Sequence, residues 1–468
     1  MDKQGIKMGE LKGKNYLKAK LSKKKAWAEV RYNYYEMKRL PSDPSPVIPD
    51  RLSAIYGAKL GWCTKAVDSL ANRLIFDGFE NDNFDLWEIF QLNNKDVFFD
   101  SAIRSALISA CCFVYISAGE DDYPRLQVID GKNATGMIDP ITNLLTEGYA
   151  ILETDDNGNI LTEAYFTPDR TEIYYVGEKD PSVISNSTGY PLLVPVIYRP
   201  DANRPFGQSR ISRDCMDLQD KARYTITCME VLREFNAFPQ KYILGTAEDS
   251  GFDKVKATYT SFLEISKDED GDKPSIGQFS QATMTPFIEQ LNSYAKLFAG
   301  ITGLTADDLG FVSNNPSSAE SIKAAHADLE RVASKAQEVF GSGFLNVGIV
   351  AASLRDDTHY KRNAFYETIP LWKPAFSMDN AAIGTFGDAV LKINQAVPDA
   401  ISAKTIERMT GIPMEEPEVD LLEGMDEEDL LGEEEDLEEE EIPEEEAGNT
   451  EDLDEVLEML QKLLKELG

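Results

Sequence analysis

The spacing of apolar residues predicts two helices joined by a loop between Thr285 and Phe344. Thr285 is expected to cap the first helix ahead of Pro286, and Gly303 is expected to end it. Its apolar positions recur at intervals of three and four and predict one buried face: Phe287, Ile288, Leu291, Tyr294, Ala295, Phe298 and Ile301. The second helix opens with Ser317 and Glu320 at capping-box spacing. Its apolar positions are Ile322, Ala325, Leu329, Val332, Ala336 and Val339. The segment 304–316 between them is rich in Gly, Pro and Asn without a period, which predicts a loop.

Earlier segments predict an α+β domain, in which helices are followed by an antiparallel sheet. The expected helices are Leu52–Leu74, Leu86–Asn93 and Phe98–Ile108. The apolar run ACCFVYIS then suits a buried strand. Further strands are expected at Leu126–Ile129, Gly148–Glu153, Thr162–Phe166 and Thr171–Val176, and PLLVPVIYRP, 191–200, is expected to close the same sheet.

A helix of about seven turns is predicted after this domain. Gly207 suits a turn and Ser209 an N-cap, and the apolar positions again step by three and four: Ile211, Cys215, Leu218, Ala222, Thr225, Met229 and Leu232. A short helix, 253–265, and a polar segment, 266–283, follow. Beyond Phe344 we expect the helix to continue with a kink at Gly348, and then helices at Asn380–Asn394 and Ala403–Met409.

The order of these segments resembles that of tailed-bacteriophage portal proteins. The resemblance rests on GITGLTADDLGF followed by NNPSSAESIKAAHADLERVASKAQEVFGSGF, and on NRLIFDGF early in the chain. Between them lie a proline-valine strand, Arg204, Gly207, Ser209, a helix carrying Asp217 and Asp220, and EFNAFPQKYILG. The similarity covers roughly Leu52 to Ala400.

The resemblance implies a portal-like α+β fold and the following division of the chain. Residues 1–51 would be a basic arm and entry segment, 52–208 the wing domain, and 209–252 a long helix and its connection to the stem. The stem helices, 253–265 and 285–303, would flank a small clip, 266–284. A tunnel loop, 304–316, would precede a long kinked helix with wing and crown helices, 317–414, and an acidic tail with a terminal amphipathic helix, 415–468.

The same resemblance implies a ring of identical subunits, usually twelve, at one capsid vertex, through which double-stranded DNA is packaged and ejected. The tunnel loop would face the DNA through Leu304, Thr305, Asp307, Asp308, Leu309, Phe311, Val312, Asn314 and Asn315. The clip would dock the terminase large subunit and later head-completion or adaptor proteins through Lys267, Asp268, Glu269, Asp270, Asp272 and Lys273. Major capsid and scaffolding proteins would be further partners, in a virion assembled in the host cytoplasm.

Charge is distributed unevenly along the chain. From Glu415 to Gly468 there are 26 acids against two lysines, a net −24 of the total −35. Residues 1–25 instead carry nine lysines, and we expect a solvated, poorly ordered arm there. The leucine stripe of Thr450–Leu467 is expected to pair with other copies or with a partner helix such as a scaffolding protein.

Candidate chemistry is sparse. The five cysteines lack metal-ligand spacing and are expected to be core thiols, and the two histidines are His326 and His359. The acidic run 268–272 lacks the Gly and Glu of an EF-hand, and Asp307 and Asp308 have no paired base. No phosphate loop, GxSxG elbow or HExxH is present. We therefore expect no catalytic residue, cofactor or metal, and the lack of a long apolar run predicts no membrane partner.

Composition leaves an alternative of another class open. An acidic-tailed chaperone or scaffold, such as a histone-binding protein, would use the tail to bind basic proteins. An enzyme acting on nucleic acid is a third option. Ring formation would distinguish a portal protein from an acidic-tailed chaperone, because a chaperone of this type is expected to form monomers or small oligomers.

Overall fold

The computed structural model describes residues 11–38, 55–119, 123–237, 241–244, 275–278, 280–311, 319–376, 380–398 and 400–412. The helices are α1 (Lys14–Glu36), α2 (Trp62–Ala71), α3 (Leu86–Leu92), α4 (Lys95–Ser109), α5 (Arg213–Ala237), α6 (Thr285–Thr302), α7 (Ala319–Arg355), α8 (Asn380–Ala396) and α9 (Ala403–Thr410). Short 3₁₀ turns lie at Asp307–Leu309 and Arg362–Phe365. The described residues belong to one compact unit, and 413–468 lie outside the described residues.

The strands pair antiparallel throughout. They are β1 (Phe76–Glu80), β2 (Cys111–Ala118), β3 (Pro124–Ile129), β4 (Ala134–Ile138), β5 (Leu145–Thr154), β6 (Ile160–Phe166), β7 (Arg170–Tyr175), β8 (Ser182–Ser185), β9 (Leu193–Ile197), β10 (Lys241–Leu244), β11 (Ser275–Gln278) and β12 (Ile369–Trp372). The predicted α+β class is confirmed. A five-stranded meander runs β4-β5-β6-β7-β8, and a separate three-stranded sheet has the order β3-β2-β9.

The expected single sheet is therefore wrong, because its strands divide between two sheets: β2, β3 and β9 form one, and β5, β6 and β7 belong to the meander. β9 does not close the meander; it pairs with β2, with Val194 opposite Val114 and Pro195 opposite Phe113. Every residue of β9 is buried, and α7 packs on this strand. Because proline cannot donate to a ladder, its place in a strand at the edge of a sheet agrees with its chemistry.

The longest described helix, α7, forms the centre of the core. Its 37 residues continue past Phe344, as predicted. Phe344 joins an aromatic cluster in which the ring centroid of Phe76 lies 4.6 Å from that of Phe99 and 5.0 Å from that of Trp372. A Cβ on Gly348 would lie 3.0 Å from Leu86 Cδ1, so this glycine permits close packing of α3 against α7.

Three boundary predictions need correction. The helix expected over Leu52–Leu74 is interrupted, because Ile55 and Tyr56 are helical, residues 57–61 are not, and α2 then runs from Trp62 to Ala71; residues 52–54 lie outside the described residues. Met284 takes the N-cap position of α6, and Thr285 is its first helical residue. Ser209 does not cap α5, since Ser212 Oγ accepts from Cys215 N at 3.2 Å. Ser209 is buried and donates to the carbonyl of Ile108 at 2.6 Å.

The helices predicted after the wing agree with the structure where it describes them. α5 spans 25 residues, or about seven turns. Gly303 ends α6 with φ at +71°, and α8 and α9 lie where expected. The predicted helix 253–265 and the capping residue Ser317 lie outside the described residues.

The basic arm is ordered from Lys14 onward, contrary to the expectation of a poorly ordered terminus. Leu17 is 0% and Leu21 3% exposed, because both pack on the meander beside Tyr149 and Tyr165. Lys14 and Lys18 reach Glu163 with Nζ to carboxylate distances of 3.3 and 2.7 Å. The lysines therefore flank an apolar stripe that holds α1 on β5 and β6.

A buried carboxylate fixes the start of α1. Glu147 on β5 is almost fully buried and accepts hydrogen bonds from the backbone N–H groups of Lys12, at 2.7 Å, and Gly13, at 2.9 Å. The hydroxyl of Tyr165 donates to the same carboxylate at 2.9 Å. Three donors thus converge on one side chain, which joins the arm to the sheet.

Glu147→Gln is expected to loosen α1 without unfolding the sheet on which it packs. The amide NH₂ group of glutamine would face these N–H groups donor to donor, so a hydrogen bond is lost. The free energy of local opening of α1 is expected to fall by about 1–3 kcal/mol. Hydrogen exchange of residues 14–25 should accelerate by about tenfold or more. Glu153→Gln, at an exposed position on the same strand, is the matched control. Equal exchange in the two variants would show that Glu147 does not hold the helix.

Candidate functional site

The first half of the predicted tunnel loop folds on itself directly after α6. Asp308 Oδ2 accepts hydrogen bonds from the backbone N and the hydroxyl of Thr305, both at 2.9 Å. In return, Thr305 Oγ1 accepts from Asp308 N at 3.1 Å. These bonds enclose the 3₁₀ turn Asp307–Leu309, and Gly310 follows with φ at +88°. The loop is therefore locally structured, which its lack of a period did not predict.

Apolar side chains anchor this half of the loop to the body. Leu304 is only 6% exposed, and Leu309 and Phe311 pack partly buried against the core. The ring of Phe311 meets that of Trp62 on α2 edge-on, with centroids 6.2 Å apart. Trp62 also contacts Phe298 of α6 at 5.4 Å. The turn between α6 and α7 is thus supported by α2.

Asp308 also connects the loop to α7. Its carboxylate lies 3.9 Å from His326 Nδ1, and this buried nitrogen has no hydrogen-bond partner among the described residues. Burial raises the pKa of Asp308, but the hydrogen bonds from Thr305 and the nearby basic side chains outweigh it and hold that pKa below its usual value. Asp308 is therefore a structural anion, whereas Asp307 is exposed.

Arg210, a residue that the sequence did not single out, supports the same region. It is buried, and its Nη2 donates to the carbonyl of Thr302 at the end of α6. Its Nε donates to the carbonyl of Ala66 on α2 at 3.3 Å. The guanidinium therefore joins α2 to the C-terminal turn of α6, from which the loop departs.

Asp217 and Asp220, quoted for the family resemblance, have different surroundings. Asp217 forms an exposed i,i+4 ion pair with Lys221 at 2.7 Å. Asp220 accepts from the Tyr34 hydroxyl of α1 and from Arg223 Nη1, the latter at 3.0 Å. Arg223 in turn donates to the carbonyl of Ala58 at 3.0 Å. Asp220 thus links α5 to α1 and to the segment before α2.

The predicted clip, 266–284, is described only over 275–278 and 280–284. Strands β10 and β11 pair with Leu244 opposite Ser275, so the ends of segment 245–274 are neighbours. The residues just before β10 and just after β11 also contact each other. Asn236 Nδ2 donates to the carbonyl of Ala282 at 2.9 Å, and Gln281 Nε2 donates to the carbonyl of Asn236 at 3.0 Å. The predicted docking residues lie outside the described residues: Lys267, Asp268, Glu269, Asp270, Asp272 and Lys273.

The structure brings some predicted loop residues together and leaves others untested. Thr305 and Asp308 form one hydrogen-bonded unit, and Leu304, Leu309 and Phe311 share an apolar contact with the body. Val312, Asn314 and Asn315 lie outside the described residues. Contact of this loop with DNA stays a prediction.

The cysteines behave as expected of core thiols. Cys63, Cys111, Cys112 and Cys215 are buried and Cys228 is half-buried. Burial raises the pKa of Cys63, Cys111 and Cys112, which keeps these thiols protonated. Within the described ranges, no three His, Cys, Asp or Glu side chains are arranged to hold a metal ion. None of the described helices has both the length and the hydropathy to cross a membrane.

Comparison with known proteins gives consistent matches. Residues 16–429 match the family model of phage portal proteins of the SPP1 Gp6-like type. The portal protein of Mycobacterium phage L5 is 25% identical over 334 residues, covering 67% of this chain and 68% of the relative. That of Mycobacterium phage D29 is 25% identical over 338 residues, with the same coverage.

Two solved structures also match over most of the chain. A chain in the virion of a native gene transfer agent particle has a TM-score of 0.41 and 13% identity, covering 82% of this chain and 99% of that one. A chain in the neck of the native particle, computed with C12 symmetry, has a TM-score of 0.42 and 13% identity, covering 79% and 94%.

Proposed function

The chain belongs to the SPP1 Gp6-like family of phage portal proteins, and on that premise we propose that it forms a homo-oligomeric ring at one capsid vertex. Double-stranded DNA would pass through this ring during packaging and ejection. The observation that carries the proposal is the family match over residues 16–429, which includes nearly all of α1 and every element through α9. Twelve subunits is the number that the family resemblance implies.

Exposed apolar side chains on a single chain support the ring. Leu297 is 58% and Ile301 48% exposed, one turn apart on the same face of α6. On α8 and just beyond it, Leu391, Ile393 and Val397 are likewise exposed. Apolar surface of this kind favours association, and a head-to-tail contact between identical chains that closes on itself generates a ring.

The tunnel loop is proposed to face the DNA through Asp307 and the residues after Phe311. The side chain of Asp307 is exposed, whereas Leu304, Leu309 and Phe311 are more suited to anchoring the loop. An acidic surface suits passage of DNA, because a polyanion held at many phosphates by basic side chains would slide less readily. The loop would therefore guide the duplex through weak contacts.

The clip is proposed to dock the terminase large subunit during packaging and head-completion or adaptor proteins afterwards. The pairing of β10 with β11, a strand within the predicted clip 266–284, supports this, because it brings the two ends of segment 245–274 next to each other. Major capsid and scaffolding proteins are further proposed partners. The tail from Glu415 to Gly468 would add contacts between copies or with a partner helix. No observation on the described residues favours the acidic chaperone.

The location at one vertex can be tested on assembled particles. Gold-labelled antibody against this chain is expected at a single vertex of each particle, and particles assembled without the chain are expected to lack packaged DNA. The major capsid protein serves as the positive labelling control, since it should be found over the whole shell. Label distributed over all vertices, or normal DNA content without the chain, would contradict the proposal.

A further inference from the structure

A cationic cavity of about 520 Å³ lies between α1 and the turn that leads into α5. Trp27 and Arg31 of α1 form one wall. Arg204, Ser212 and Arg213 contribute to the opposite side. The arginines come from parts of the chain more than 170 residues apart, so only the fold brings them together.

The positive charges in this cavity lack ion-pair partners in the described part of the chain. Nε of Arg31 is buried without a hydrogen-bond partner. Burial and the nearby charges of Arg213 and Arg204 lower the pKa of Arg31. Asp214 is the one carboxylate among the lining residues, and it is exposed and forms no ion pair within the described ranges. Burying an unpaired cation costs desolvation free energy unless an anion binds beside it.

Two lysines extend the positive charge along α1. Lys24 Nζ lies 3.7 Å and Lys20 Nζ 5.1 Å from the ring centroid of Phe206, next to the cavity-lining Gly207. Burial and the neighbouring charge of Lys24 lower the pKa of Lys20 to about 8. The long helix α5 begins at Arg213, so its positive end adds to the same field.

We propose that this cavity binds a phosphate group. Guanidinium groups donate in a planar fork that matches the oxygens of phosphate, and a bound oxyanion would supply Arg31 Nε with its missing acceptor. Three arginines carry more charge than a single carboxylate compensates, which favours an anionic phosphate group. The same chemistry is offered by free phosphate and by the backbone of nucleic acid. The inference does not rest on ring formation.

The test uses the purified full-length chain and two probes, inorganic phosphate and a short DNA duplex, at constant ionic strength. Arg213→Gln is expected to weaken binding of the occupying probe by about tenfold, because it removes a charge-assisted contact. Arg31→Gln is expected to have at least the same effect. Arg213 is exposed, so its variant keeps the fold. Arg170→Gln, at an exposed arginine on β7 paired with Glu172, is the matched control.

The two probes distinguish free phosphate from the nucleic-acid backbone as the ligand of the cavity. Weaker binding of inorganic phosphate by the two cavity variants, with Arg170→Gln unchanged, supports a free phosphate ligand. Weaker binding of the duplex alone supports the nucleic-acid backbone as the source of the phosphate. The proposal is overturned if the parent binds neither probe, or if Arg213→Gln binds both probes as the parent does. Those results leave the proposed ring unaffected, since the ring is tested by imaging.

Discussion

Replacing Asp307 with lysine is expected to slow or stall DNA translocation while ring assembly stays intact. The side chain is exposed, so the change leaves α6 and α7 unaltered. A lysine there would bind DNA phosphates, and a ring multiplies that interaction by its subunit number. Packaged DNA length should be followed over time at two salt concentrations, with the largest defect at low salt. Each phosphate that the new lysines neutralise is expected to steepen the salt dependence by about 0.9 in logarithmic slope.

Two companion variants sharpen this experiment. Asp307→Asn removes the negative charge without adding a cation, and it is expected to package nearly as the parent does. Asp308→Lys is expected to disrupt the loop itself, because Asp308 accepts both hydrogen bonds from Thr305. Its defect should persist at high salt. Equal packaging rates for Asp307→Lys and the parent at both salt concentrations would show that Asp307 does not face DNA.

The double change Leu297→Asp with Ile301→Asp is expected to prevent ring formation and leave the subunit folded. Both side chains are largely exposed on one face of α6 in the single chain. Covering an aliphatic side chain at an interface contributes about 1.5–3 kcal/mol, and an unpaired carboxylate there adds a desolvation cost at every interface around the ring. Native mass spectrometry should detect the loss of the oligomer.

The matched control for this double change is Ser293→Asp, at an exposed polar position on the same helix. It adds negative charge without removing apolar surface, so rings are expected to form. Thermal unfolding of the dissociated double variant should resemble that of dissociated parent chains, since no buried side chain is changed. Full rings from the double variant would place the subunit interface on another surface.

Elements with strong local periodicity could be predicted from the sequence. The end of α6 at Gly303 and the course of α7 past Phe344 follow from apolar spacing and a single glycine. Periodicity also misled: the pattern of Leu52–Leu74 runs through Gly57 and Gly61, where the backbone is not helical. Ile288 and Ile301 continue the apolar pattern of α6 but are exposed: Ile288 lies in the N-terminal half, which has no buried residue, and Ile301 lies off the face formed by Ala295, Phe298, Ala299 and Thr302.

The helix α1 was not predicted, because its composition is rich in lysine. Leu17 and Leu21 carry the signal of a buried face, but the surrounding lysines suggested a solvated arm. Their acidic partner, Glu163, lies nearly 150 residues away on β6. The pairing of β1 with β12 escaped prediction for a similar reason, since Phe76 and Trp372 meet across almost 300 residues. Contacts of this kind are set by the tertiary fold.

The candidate site was predictable in position but only partly in its internal structure. Local sequence located the loop after α6, and it included Asp307 and Asp308 without distinguishing their roles. The roles separate only because Thr305 and His326 surround Asp308. Arg210 contacts backbone carbonyls of Thr302 and Ala66, which carry no side-chain signature in the sequence.

We propose that this chain assembles into a ring with a channel. Electron microscopy of negatively stained, purified protein tests it most directly, with the subunit number counted from class averages viewed along the axis. Closed rings with a central hole, with the twelve subunits that the family resemblance implies, are expected. Monomers or small oligomers without a hole, at concentrations where the protein is soluble and folded, would contradict it.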